Sequence, residues 1–248
     1  MNLELYQLLL IAAVTFCASY IQSVAGFGFG IFAMIFLPHI VLYTEANVLS
    51  TMLSALTSFA VAIAMRKHIH WKNIIFPLAG CLITMILSVN FIKTQKNETL
   101  SLLLGIALFS LSIYFLLFSK KIKIKPTWYA GFIAGILSGI MGGMFAMSGP
   151  PVVVYFVQSE DDAKNYLATI SAYFIFSDSI SIITKASAGF VTVNVWAGFF
   201  VGLVGMLVGS LIGKRSRDKI KPETLKKAVY GLMAVSGVVN IVTALISF

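Results

Sequence analysis

Two kinds of group in this chain have the type and spacing to do chemistry, and both lie in apolar surroundings. The first is Asp178, the one acidic residue deep inside a clean apolar run at residues 164–184. A carboxylate there is costly, so it is retained for a function or for a specific partner. Ser171, Asp178, Ser181 and Lys185 recur at helical spacing and share one face. Lys185 stands nearer the end of the run, from where it can pair with Asp178 through water. The carboxyl then either carries a coupling proton or makes a structural hydrogen bond to a neighbouring helix, and the sequence leaves both open.

The second kind is backbone. Two apolar stretches, residues 5–43 and 128–157, are interrupted by Gly26, Gly28 and Gly30 in one and by Gly139, Gly142, Gly143, Gly149, Pro150 and Pro151 in the other. Glycine frees the backbone and proline removes a donor, so helices are expected to break there. A helix N-terminus at such a break presents unpaired N–H groups and about half a positive charge. It can hold an anion in a low-dielectric site without a buried Lys or Arg. The candidate ligands are the amides around Gly26, Gly28 and Gly30 and those from Gly139, Gly142 and Gly143 to Gly149 and Pro150, with Gln22, Ser23 and Ser148 as side-chain donors. The competing reading is that the glycines only let helices pack closely and the serines bond back to helix carbonyls.

Composition sets what must hold these groups. Of 248 residues 59% are hydrophobic and 11% charged, and the mean hydropathy is +0.94, which excludes a soluble domain and implies an all-α integral membrane protein. A span needs about 20 apolar residues, and six runs supply them: residues 47–65, 73–92, 99–118, 164–184, 192–213 and 224–246. The net charge of +9 comes from Lys and Arg placed between these runs. It therefore reports orientation in lipid, the expected partner, and not nucleic acid. Cys17 and Cys81 are too few for a disulfide or metal framework, His68 and His70 beside Trp71 read as interfacial, and His39 has no metal-ligand company, so no metal or other cofactor is expected. No cleavage site closes the first apolar run, which is expected to stay in place.

At an offset of 113 residues the two broken stretches match, Gly26 with Gly139, Gly30 with Gly143, Phe32-Ala33-Met34 with Phe145-Ala146-Met147 and Pro38 with Pro151. Glu98-Thr99-Leu100 and Glu223-Thr224-Leu225 echo each other at 125. The chain thus divides into residues 1–122 and 123–248, each a broken or re-entrant helix pair followed by three spans, and Met65 becomes the counterpart of Asp178. Counting basic residues tests the number of crossings. If residues 128–157 cross once, eight fall inside and ten outside; if they enter and return, fifteen fall inside and three (Lys93, Lys96, Lys185) outside. The hairpin, with arms of about 15 and 11 residues, too short for full spans, is therefore expected, which makes the second repeat inverted. Whether residues 5–43 cross or return stays open. Inverted repeats with discontinuous helices are the architecture of secondary transporters. A passive anion channel would use the same breaks. An intramembrane hydrolase would need Ser148 with His39, and no motif accompanies that pair. Ser50, Ser54, Thr57 and Ser58 share a helix face as pathway or as packing.

The glycine-rich break followed by Pro38, its recurrence as SGIMGGMFAMSGPP ending at Pro151, and the doubled layout over the full chain resemble the sulfite exporter TauE/SafE family of bacterial permeases. The resemblance implies a multi-pass protein of the cytoplasmic membrane, not an enzyme. It would export a small anionic substrate such as sulfite or a sulfonate. The first break, Gly26-Phe27-Gly28-Phe29-Gly30, departs from a continuous glycine run and sets two phenylalanines at the expected site.

Overall fold

A computed structural model describes residues 3–118, 125–216 and 222–247, without the side chains of 118, 222–226 and 247. Among the described residues all regular structure is helical: α1 (Leu5–Ala25), α2 (Phe29–Phe36) with a tight turn Leu37–His39, α3 (Tyr43–Ala64), α4 (Trp71–Lys93), α5 (Asn97–Ile113) with a wider turn Tyr114–Phe118, α6 (Trp128–Phe145), α7 (Gly149–Ser159), α8 (Ala163–Ser187), α9 (Val193–Ser216) and α10 (Pro222–Ser247). Eight of these are long and apolar enough to cross a membrane, and α2 and α7, with 8 and 11 residues, are not. Large apolar side chains such as Leu87, Ile183 and Phe200 face outward while Asn47, Asp178 and Lys185 are buried. That is the distribution a bilayer imposes, and the chain is a multi-pass membrane protein.

The helices meet through glycine. Gly205, Gly209 and Gly213 of α9 lie against the α1 backbone at Ala12, Phe16 and Tyr20, and Gly135, Gly139 and Gly143 of α6 lie against α4 at Pro77, Cys81 and Met85. Gly105 of α5 faces Gly237 of α10. Lipid gives helices no hydrophobic reason to associate, so close backbone approach and dispersion contacts hold such seams.

Both broken segments are hairpins. Gln7 in the first turns of α1 donates its Nε2 to the Ile40 carbonyl at 3.0 Å, so residues 5–43 return to the end where they entered. Tyr155 of α7 packs over Gly131 at the start of α6, so residues 128–157 do the same. At one end of the bundle the basic loop with Arg66, Lys67 and Lys72 adjoins the α7–α8 corner, where His70 Nδ1 lies 2.6 Å from Glu160 Oε2 and Asn73 Nδ2 donates to Glu160 Oε1 at 2.9 Å. At the other end Glu45 Oε1 accepts from Thr192 Oγ1 at 2.6 Å and from Asn194 Nδ2 at 3.3 Å.

Four expectations change. First, α6 runs unbroken through Gly139, Gly142 and Gly143 to Phe145, giving an arm of 18 residues; three glycines on its α4 face suit a packed helix where no water competes for the backbone. Second, the turns fall after α1 and α6, both of which end in left-handed residues, φ 84° at Gly26 and φ 54° at Ala146, and the next helices start from Gly28 and Ser148. Third, Lys185 is not a loop charge: α8 continues to Ser187 and buries it completely. Fourth, most helices outrun the apolar runs by one to four residues at one or both ends, whereas α3 stops at Ala64, α5 at Ile113, and α9 starts only at Val193. Lys120, Lys121, Lys123, Arg217, Lys219 and Lys221, which entered the charge count, and the division at residues 122 and 123 lie outside the described residues.

Candidate functional site

The two breaks touch. Gly30, in the first turn of α2, lies so close to the Ala146 carbonyl that a Cβ there would sit 2.9 Å from its carbon and closer still to its oxygen. Gly149, which opens α7, packs on the Phe27 ring. Around this contact lies a cavity of about 20 Å³, room for one water-sized group, lined by Gln22, Gly28, Phe29, Gly30 and Ile31 from the first hairpin, by residues 146–150 of the second, and by Ser54, Phe174 and Asp178.

The donors are unequal. Gly28 caps α2 at φ 112°, a conformation that favours glycine. The amides of Phe29, Gly30 and Ile31 then have no acceptor within their own helix, and together they form the positive end of α2. The N-terminus of α7 is poorer, because Pro150 and Pro151 remove two of its first N–H groups and leave Gly149 as the amide at the cavity. Gln22 Nε2 donates to Ser58 Oγ at 2.9 Å, and its Oε1 lies 3.5 Å from Ser54 Oγ. Asp178 faces these donors, 5% exposed, and its Oδ2 has no hydrogen-bond partner.

Of the residues singled out from the sequence, Gln22, Gly28, Gly30, Ser148, Gly149, Pro150 and Asp178 line this one cavity. The others sit elsewhere. Ser23 Oγ lies 3.3 Å from Ser210 Oγ on α9, Gly26 ends α1 beside Tyr166 and Leu167, and Gly139 and Gly143 pack on α4. Gly142 faces the Ser148 side chain without lining the cavity. In the serine stripe of α3 only Ser54 reaches the cavity; Thr57 bonds back to Leu53. His39 lines a separate cavity of about 470 Å³ at the Glu45 end, so it does not meet Ser148. No group of three or more His, Cys, Asp or Glu residues that could hold a metal occurs among the described residues.

Sequence reasoning missed what braces the second hairpin. Tyr43 Oη and Asn47 Nδ2 both donate to the Met144 carbonyl, at 2.6 and 2.8 Å. Ser138 Oγ donates to the Ser148 carbonyl at 2.6 Å and accepts from Tyr173 Oη at 2.8 Å. Lys185 Nζ donates to Thr51 Oγ1 at 2.7 Å and to the Gly142 carbonyl at 3.4 Å. The Met144 carbonyl, left open where α6 ends, is thus satisfied from α3, and Lys185 of α8 adds a second donor to the Gly142 carbonyl, which already accepts from the Ala146 amide. The apolar run ending near residue 184 carried a hint of Lys185, but only the antiparallel packing of α3 on α8 brings it inward.

Residues 11–239 match the family described as sulfite exporter TauE/SafE. The chain is 22% identical over 234 residues to a probable sulfite/organosulfonate exporter TauE of Cupriavidus necator, an alignment covering 92% of this chain and 91% of that protein. No solved structure matches the chain.

Proposed function

The chain belongs to the sulfite exporter TauE/SafE family, a family of membrane exporters and not of enzymes, and on that premise we propose that it is a secondary carrier exporting small sulfur-containing anions, sulfite or short sulfonates, with Asp178 as its proton-coupling group. The observation that carries this reading is the cavity itself, in which the free amides of α2 and the Gln22 side chain face a carboxyl with an unpartnered oxygen. The amides suit an oxyanion. The carboxylate opposes it, since two unit charges about 4 Å apart repel by about 4 kcal/mol at an effective dielectric of about 20, roughly a thousandfold in affinity. A proton on Asp178 removes that repulsion, so anion and proton bind together and net flux follows the sum of their gradients.

The cavity is too small for a sulfonate, so the hairpins part to admit one. An inverted repeat of residues 1–122 and 123–248 supplies the means. Its support is the pattern of neighbours: with α1–α5 paired to α6–α10 in order, the α1–α9 and α4–α6 seams are mates and both run parallel, Gly205 to Ala12 and Gly209 to Phe16 in one, Gly135 to Pro77 and Gly139 to Cys81 in the other. The α3–α8 pair, joined by Thr51 with Lys185 and by Ser54 with Asp178 at the cavity, runs antiparallel, as mates under a two-fold axis in the membrane plane must. The two ends open alternately, one at the Glu160–His70 contact and the other at the Glu45–Thr192 contact.

Sulfite efflux from proteoliposomes tests the proposal. Expected are saturation, competition by short sulfonates, and dependence on a pH gradient that Asp178→Asn abolishes. A conductive, non-saturating flux would establish a channel instead, and an Asp178→Asn protein that kept its full pH-gradient dependence would remove the coupling role.

A further inference from the structure

We infer that the Lys185 ammonium is a second anion-holding station, on the route between the central cavity and the Glu45 end of the bundle, and that it exchanges internal partners for the anion as the anion passes; this rests on the functional reading above. Lys185 is fully buried on α8, about 10 Å along the helix from Asp178. Its ammonium has three donors. Two are used, on the Thr51 hydroxyl at 2.7 Å and on the Gly142 carbonyl at 3.4 Å, and both partners are neutral. Among the described residues no carboxylate lies within ion-pair distance of it and no acceptor meets the third N–H.

A buried ammonium whose hydrogen bonds go only to neutral groups, with the Asp178 carboxyl acting on it from beyond ion-pair distance, is expensive, and packing alone would favour an apolar side chain in its place. Nearby polar groups are left over in the same way. Ser181, one turn before Lys185 on the same face, and Ser50, beside Thr51 on the opposing helix, are each no more than 1% exposed, and neither hydroxyl has a hydrogen-bond partner. One ammonium N–H and two hydroxyls are donors of the kind an oxyanion with three oxygens takes. The Gly142 carbonyl ties this station to the break, since Gly142 faces the Ser148 side chain that lines the cavity. With no anion present the ammonium clamps α3, α6 and α8 together. An anion arriving from the cavity competes for the ammonium and releases the clamp on the side of its exit.

The test measures sulfite and methanesulfonate flux and anion-induced thermal shifts on the full chain, as wild type, Lys185→Met, Lys185→Arg and Thr51→Val. Losing a charged hydrogen bond costs about 10- to 100-fold in anion affinity. Lys185→Met should therefore raise the KM for both anions by that factor and lose the thermal shift, while melting no lower than wild type without anion; Lys185→Arg should recover part of the affinity. Thr51→Val keeps the charge and removes one internal competitor, so its KM should fall. A Lys185→Met protein with a KM within twofold of wild type, or a Thr51→Val protein with an unchanged or raised KM, would show that the lysine only ties helices together. A wild type that responds to neither anion would instead reject the functional reading itself.

Discussion

Gly30→Ala probes the contact on which the site depends. A methyl at residue 30 would sit 2.9 Å from the Ala146 carbonyl carbon, and nearer its oxygen, both main-chain atoms with no rotamer to yield. Ordinary contact requires the two hairpins to separate by at least about half an ångström at the carbon and more than about an ångström at the oxygen. Overpacking of this kind costs about 1–3 kcal/mol, offset by up to about 1 kcal/mol of helix propensity gained on replacing glycine. The net loss of stability is then no more than about 3 kcal/mol, so the protein should still fold. The α2 amides, however, move relative to Gly149 and Asp178, and sulfite KM in proteoliposomes should rise at least about tenfold, the scale of a lost charged hydrogen bond. Gly231→Ala is the control, because nothing lies within 4 Å of its added methyl. It should stabilise by about 0.4–1 kcal/mol and leave transport unchanged. A Gly30→Ala protein with wild-type KM and turnover would refute the assignment of the break contact to the substrate site.

Gly28→Ala places a side chain at φ 112°, costing about 1–3 kcal/mol; thermal unfolding should show the loss and sulfite affinity should fall with it. Glu160→Gln keeps the shape of the contact but weakens its hydrogen bonds with His70 and Asn73; accessibility of an introduced cysteine at Ser159 should increase, and an unchanged labelling rate would count against a gate there. Asp162 caps α8 by accepting from the Asn165 amide, which holds its carboxyl below the ordinary range. Its folded pKa is depressed, so its contribution is complete above the ordinary carboxylate value and is lost as pH falls through the lowered one; the melting difference between wild type and Asp162→Ala should shrink on acidification across that window.

Six of the eight long helices were legible as clean apolar runs because span length and hydropathy are set by the bilayer and need no tertiary information. The return of residues 128–157 was legible from charge placement for the same reason. The second break was placed too early because glycine serves two purposes here. Gly139, Gly142 and Gly143 let α6 pack closely, while the turn itself falls on Ala146, a residue type that gives no warning of a positive φ. Seven of the candidate residues reach one cavity because they flank true turns or face them from α8. Ser23 and Gly26 are near in sequence but turn to other helices, Ser23 to α9 and Gly26 to α8, which no spacing rule reveals. Lys185 was placed on the Asp178 face but taken as lying near the membrane edge, because its run looked finished at residue 184 and its partner Thr51 lies 134 residues away.

The most direct test of the central claim is sulfite counterflow: vesicles preloaded with unlabelled sulfite are diluted into a trace of labelled sulfite. A carrier working through the paired hairpins should accumulate label transiently above the outside concentration, be blocked by excess methanesulfonate, and lose this behaviour in Gly30→Ala. Equilibration without overshoot, or an overshoot indifferent to sulfonates, would contradict the account.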